Sequence, residues 1–152
     1  MRRTAYDDEY PTCERTSAAL RIYPRSMLPA DVSKALMLTP TLARTVGEFV
    51  PSALAGRGHR VARTRWELSS EECVTSKDLR RHLDWLLAQL QPASAALRAL
   101  SARDDVQSAV HCSWWSAHGE GGPVLWPEQM QKLAELDLEL SFEIMFFSDD
   151  EP

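Results

Sequence analysis

The segment Thr75–Ala102 reads TSKDLRRHLDWLLAQLQPASAALRALSA. Within it Leu79, Leu83, Leu86, Leu87 and Leu90 recur at i, i+4, i+7, i+8 and i+11. At about 100° per residue these leucines fall on one stripe of an α-helix. Thr75 with Asp78 three residues on resembles a capping box with Asp in place of Glu, which makes Thr75 the expected N-cap. Pro92 kinks or restarts the helix, because it has no N–H for the ladder and biases Gln91 away from helical angles. Leu97 returns to the stripe of Leu79, so a kinked helix reaching Ala102 is expected. A helix this apolar on one side must bury that side, and the remaining segments look like short strands, so the expected partner is a sheet.

On either side of the helix the period changes to two. Before it, Arg60–Leu68 alternates, with Ala62, Thr64, Trp66 and Leu68 expected inward and Val61, Arg63, Arg65 and Glu67 outward. After it, Val106–Trp115 places Val106, Val110, Cys112 and Trp114 on one face and Gln107, Ala109, His111, Ser113 and Trp115 on the other. A one-residue bulge near Trp114 and Trp115 would reverse the last placement, and pattern alone does not choose between two tryptophans. Further out, Ser17–Tyr23 alternates about Ala18, Leu20 and Ile22, and Leu138–Phe147 about Leu140, Phe142, Ile144 and Phe146. Pro29 and Pro127 suit first positions of short helices, the first burying Val32, Ala35, Leu36 and Leu38, the second Met130, Leu133, Ala134 and Leu136. Thr39–His59, punctuated by Pro40, Gly47, Pro51, Gly56 and Gly58, has no clean period and reads as a long connection with a helical turn near Ser52–Ala55. Ser116–Val124 is a glycine-rich loop.

Leu28-Pro29-Ala-Asp-Val32-Ser-Lys34 echoes Trp126-Pro127-Glu-Gln-Met130-Gln-Lys132, and each segment lies between two strands. The chain therefore reads as strand–helix–strand, central helix, strand–helix–strand. The expected fold is an α+β two-layer sandwich, a four-stranded sheet with helices on one face. Its nearest common architecture is the ferredoxin-like plait, with the long central helix added. Residues 1–16 read as a disordered arm, 17–147 as one domain and 148–152 as an acidic tail.

The 152 residues suffice for a core without disulfides or metal. Apolar content of 44% and charged content of 26% are those of an ordinary soluble globular chain. A net charge of −5 argues against a nucleic-acid surface. No apolar run approaches a membrane span, and the polar first sixteen residues are no signal peptide, so a cytoplasmic location is expected. Cys13, Cys73 and Cys112 are odd in number and widely spaced, which fits reduced thiols.

Several segments in order resemble a bacterial family known as domain of unknown function 4279. They are Ala19-Leu-Arg-Ile22 with Leu28-Pro-Ala-Asp-Val32, Trp66-Glu-Leu-Ser-Ser70, and Ser76-Lys-Asp-Leu79 with His82-Leu-Asp-Trp-Leu-Leu87. Gly121-Gly-Pro-Val-Leu125, running into Leu133–Phe146, completes the set, and the likeness covers roughly Ala18–Phe147. The resemblance implies no catalytic residue. Some members look like immunity or regulatory partners in bacterial conflict systems, which raises the expectation of a protein-docking role.

Recognisable chemistry is sparse. His118-Gly-Glu120 has the His-x-Glu of zinc deaminases but lacks the later Pro-Cys-x-x-Cys. His111 and Cys112 are adjacent on a strand and point to opposite faces, which opposes a shared metal with His118. Ser69, Ser70, Cys73, Ser76 and His82 cluster near the start of the central helix, where capping explains Ser76 as well as nucleophilic catalysis does. No Gly-x-Ser-x-Gly and no phosphate-cradling Gly-x-x-x-x-Gly-Lys occurs. No cofactor or metal is expected.

The outward sheet face is the better candidate. Alternation assigns Arg21, Tyr23, Arg63, Arg65, Glu67, His111, Trp115, Glu139 and Glu143 to it. Cross-strand Arg–Glu pairs alone would explain a solvated face, whereas Trp115, Tyr23 and the arginines are residue types enriched at binding hot spots. Trp85 lies off the leucine stripe and is a candidate for a second contact. The expected function is a non-catalytic binding module, an immunity-like or regulatory protein docking a protein partner by occlusion. The alternative is a small-ligand sensor binding between the open face and the loops at Thr39–His59 and Ser116–Leu125. An enzyme comes third.

Overall fold

The computed structural model describes residues 3–54 and 56–146. In chain order the elements are β1 (Cys13–Pro24), α1 (Pro29–Leu36), β2 (Leu42–Arg44), β3 (Phe49–Pro51), β4 (Gly58–Arg60) and β5 (Arg65–Ser69). Then follow α2 (Leu79–Leu90), a 3₁₀ turn (Gln91–Ala93), α3 (Ser94–Ser101), β6 (Val106–Ser116), α4 (Pro127–Glu135) and β7 (Glu139–Met145). One five-stranded sheet runs β2-β5-β1-β6-β7, and β3 pairs with β4 in a separate two-stranded hairpin.

The leucine stripe does what its spacing predicts. Leu79, Leu83, Leu86, Leu87, Leu90 and Leu97 are all buried, packed with Ala18, Leu20, Ile22, Trp66, Leu68, Val110 and Cys112 from one face of the sheet. Pro92 breaks the helix into α2 and α3 through the 3₁₀ turn. The helix begins later than expected: the N-cap is Asp78, not Thr75. Asp78 accepts from the Arg80 backbone N–H at 3.0 Å and from the Arg80 guanidinium, while Ser76 Oγ accepts from the Asp78 N–H. A carboxylate that binds both its own helix start and a buried guanidinium outcompetes the Thr75 hydroxyl.

The echo between the two proline-led helices is structural. Asp31 Oδ2 accepts from the Leu28 N–H at 2.9 Å, and Gln129 Oε1 from the Trp126 N–H at 3.0 Å, so each third helical side chain turns back to the residue before the proline. Val32, Leu36, Leu133 and Leu136 are buried, but Ala35, Ala134 and Met130 face out.

The sheet departs from the expected plait. It is five-stranded, because β2 pairs with β5. β1 lies antiparallel to both β5 and β6, whereas β6 and β7 run parallel. A parallel neighbour pair needs a crossover, and α4 supplies it between β6 and β7. The Thr39–His59 segment is not a plain connection: it holds β2, β3 and most of β4, with Phe49 opposite Arg60 and Val50 opposite His59, while the helical turn expected near Ser52–Ala55 falls partly outside the described residues. The strand expected over Arg60–Leu68 is divided, Arg60 ending β4 and β5 starting only at Arg65, so Ala62 lies in an exposed link.

At the opposite edge, β7 forms as its alternation predicts, yet its apolar side is uncovered. Phe142, Ile144 and Phe146 are 42%, 60% and 49% exposed. They stand beside Cys112 and Trp114 across the ladder, beyond the reach of the helical layer. The expected end of this strand at Phe147 and the acidic tail lie outside the described residues.

Residues 3–12, expected as a disordered arm, are tied across the start of α2 and the loop before α4. Arg80 donates to Thr4 Oγ1 at 2.7 Å, Asp7 N–H to Asp78 Oδ2 at 2.7 Å, and Lys77 N–H to the Asp8 carbonyl at 3.0 Å. Tyr6 donates to Asp84 and packs its ring 4.8 Å from that of Trp126, over which the Arg3 guanidinium also stacks at 3.5 Å. Tyr10 meets Trp114 edge-on and donates to the Gly122 carbonyl. Gly121, at φ +82°, lies so close to Thr12 that a Cβ there would sit 2.4 Å from its hydroxyl.

Candidate binding site on the open sheet face

Helices cover one side of the sheet, and the other side is open. Strand alternation puts Arg44 and Leu42 (β2), Arg65 and Glu67 (β5), Arg15, Arg21 and Tyr23 (β1), His111 and Trp115 (β6), and Glu139 and Glu143 (β7) on that open side. The tryptophan ambiguity resolves in favour of unbroken alternation. Trp114 is buried and Trp115 lies on the open side, opposite Arg15, whose guanidinium stacks over its ring at 4.3 Å. The bulge sits on the partner strand, between Cys13 and Arg15.

The sequence-predicted residues fall into two groups. Arg21 and Glu67 are cross-strand partners joined at 2.6 Å, and Arg65 reaches the same Glu67 oxygen at 3.6 Å. Beside them the Arg63 guanidinium lies 3.8 Å over the Tyr23 ring and donates to Gln107 Oε1 at 3.0 Å. Across β6 and β7, His111 pairs through Nδ1 with Ser141 Oγ at 2.8 Å and through Nε2 with Glu143 at 3.4 Å. The small side chains of Ala19 and Ala109 separate the groups, so His111, Trp115 and Glu143 do not join the arginine cluster.

The arginine cluster borders a concavity that the sequence did not indicate. The β3–β4 hairpin stands beside the β2 edge, and between them opens a cavity of about 470 Å³. Tyr23, Arg63 and Arg65 line it together with Arg44, Arg60, His59, Leu42, Val50, Val61 and Ala62. Its volume falls within the range of small-molecule sites, about 300–1,000 Å³. Arg44, Arg60 and His59 escaped notice because their strands are three residues long, too short to show a period. A compositional signal was present: residues 49–66 hold four arginines and a histidine without a single carboxylate.

The other constellations resolve into structure. Ser70 and His82 do meet, at 2.7 Å, but both are buried. His82 Nε2 faces the Ser76 carbonyl, which can only accept, so Nε2 carries the proton and Nδ1 accepts from the Ser70 hydroxyl. Ser70 Oγ in turn accepts from the Ala18 N–H, which leaves the hydroxyl latching β1 to α2. Cys112 is buried, and burial pushes its thiol up to about 12. His118-Gly-Glu120 is a turn organised by Ser116, whose hydroxyl accepts from the Gly119 N–H and donates to the Glu120 carbonyl. Trp85 packs partly buried against the core edge. Among the described residues no group of three or more His, Cys, Asp or Glu side chains is placed to hold a metal, and the three cysteines are unpaired. Among the same residues no helix is long and apolar enough to cross a membrane.

No curated protein and no solved structure gives a significant match to the chain. The model of the family described as Domain of unknown function (DUF4279) matches residues 14–147. That span takes in every helix and strand but for Cys13, the first residue of β1, and with them the open face and the hairpin. The chain therefore belongs to the DUF4279 family.

Proposed function

We propose that this domain is a non-catalytic binding module, and that its site is the concavity between the open sheet face and the Thr39–His59 segment, occupied by a small ligand. The observation that carries the reading is the cavity of about 470 Å³, where the apolar side chains of Leu42, Val50, Val61 and Ala62 stand among Tyr23, His59 and converging arginines. The sealed Ser70–His82 pair supports a role without covalent chemistry, since neither group opens onto a surface where a substrate would sit. The test is a thermal-shift screen of metabolites against the wild-type protein and Ala62→Trp, which fills the cavity from an exposed link. The expected result is a ligand that raises the melting temperature of the wild type only. A ligand that shifts both proteins equally, or none that shifts either, would remove the cavity as the site.

A second reading, the docking of a partner protein in an immunity-like or regulatory role, draws on β7. Among the described residues its outer edge has no strand partner, and its apolar side chains Phe142, Ile144 and Phe146 are exposed, the features of a strand that accepts another chain. That reading expects Ile144→Glu to abolish capture of a protein from the native host and Ala62→Trp to leave it intact.

A further inference from the structure

We infer that the ligand of this cavity carries a compact, multiply charged oxyanion group, phosphate or carboxylate, gripped by Arg44, Arg60, Arg63 and Arg65. The inference rests on the cavity being the site, and it names the chemistry of the occupant. The first observation is a repulsion built into the sheet. Arg44 and Arg65 are direct partners on the β2–β5 ladder, and like charges opposite one another on neighbouring strands are unfavourable. The second is the absence of internal compensation in a chain of net charge −5. Among the described residues Arg44, Arg60 and Arg63 form no ion pair. Arg65 shares Glu67 at 3.6 Å with Arg21, which holds that carboxylate more closely at 2.6 Å.

The third observation is that these side chains are already positioned. Arg44 donates to the Ala43 carbonyl at 3.2 Å, Arg60 to the Gly47 carbonyl at 3.0 Å, and Arg63 to Gln107 at 3.0 Å while stacked on Tyr23. A guanidinium has five N–H donors, and these bonds occupy one in each. Planar forks fixed through one nitrogen are ready for bidentate contact with an oxyanion, and less freedom is lost when it binds. The rest of the surface carries surplus acid, which repels a long polyanion and leaves a small one as the fitting occupant.

Titration calorimetry of the full chain at fixed ionic strength tests this, with sodium pyrophosphate and sodium citrate as probes. The variants are Arg44→Gln, Arg63→Gln and, as a control on the helical side, the exposed Arg98→Gln. The expected result is saturable binding of at least one probe, weakened about tenfold or more by each cavity substitution and unchanged by Arg98→Gln. Tighter pyrophosphate binding assigns the phosphate class, tighter citrate binding the carboxylate class. Absence of saturable heat with both probes, or equal weakening by Arg98→Gln, would overturn the inference. A neutral ligand from the thermal screen that Ala62→Trp excludes but Arg44→Gln binds normally would overturn it too, while leaving the cavity reading in place. Arg44→Gln removes a repulsion, so its melting temperature should hold or rise; Arg63→Gln gives a second measure at a position outside the strands.

Discussion

Burial pushes the His82 pKa below its ordinary value of 6.5, against a smaller opposing pull from the Ser76 carbonyl. The folded protein therefore keeps the imidazole neutral at pH values where the unfolded chain protonates it. As the pH falls through about 6.5 the unfolded state binds the extra proton, so stability falls with it. Asp8 and Asp78 also have lowered values, Asp8 chiefly through Arg81 and Asp78 through Arg80 despite its burial. Their stabilising contribution is lost only on acidification through the carboxylate range, well below the imidazole window. Urea melts between about pH 7.5 and about pH 5.5 should thus show a loss of stability that His82→Gln largely abolishes. A wild-type stability independent of pH in that window would contradict the neutral, latched imidazole. The sequence showed His82 and Ser70 close to the helix start, but their purpose depended on the backbone groups that saturate them. The same limit applied to Asp78: both it and Thr75 have capping chemistry, and the choice was made by Arg80 and Asp7, whose positions no local pattern reveals.

Among the elements, those with a sustained period were legible. The stripe of α2 and the alternations of β1 and β6 could be read directly because burial on one side imposes the period. Leu86 is fully buried at the centre of that stripe, and Leu86→Ala should cost about 2–5 kcal/mol in a denaturant melt. A change well under 1 kcal/mol would mean that the helix does not pack as described. β2, β3 and β4 were illegible because three residues make barely one repeat, and their side chains are mostly half-exposed or exposed. β7 teaches a different point. Its alternation told correctly which side chains share a face, but a period says nothing of whether another layer lies over that face. The candidate site suffered from both limits: Arg21, Tyr23, Arg65 and Glu67 could be placed on the open face, whereas the hairpin that makes a cavity from it could not.

For the molecule as a whole, residues 3–12 act as a strap over the helical layer, held by hydrogen bonds and ring contacts that carry no periodic signature. Deleting residues 1–11 would leave the buried Arg80–Asp78 pair without Thr4 and the Asp7 N–H, and would uncover Trp126. The expected outcome is a loss of about 2 kcal/mol or more in a urea melt, with a red-shifted tryptophan emission. An unchanged melt would show the strap to be dispensable. The place of β1 carries a consequence for synthesis. Among the strands of this sheet it is synthesised first, yet it lies between β5 and β6, and β6 ends at Ser116. The strap before it closes on Trp126. Residues 13–116 must therefore all emerge before β1 gains its second neighbour, and until then the side chains of Ala18, Leu20 and Ile22, buried in the folded sheet, lack part of their cover.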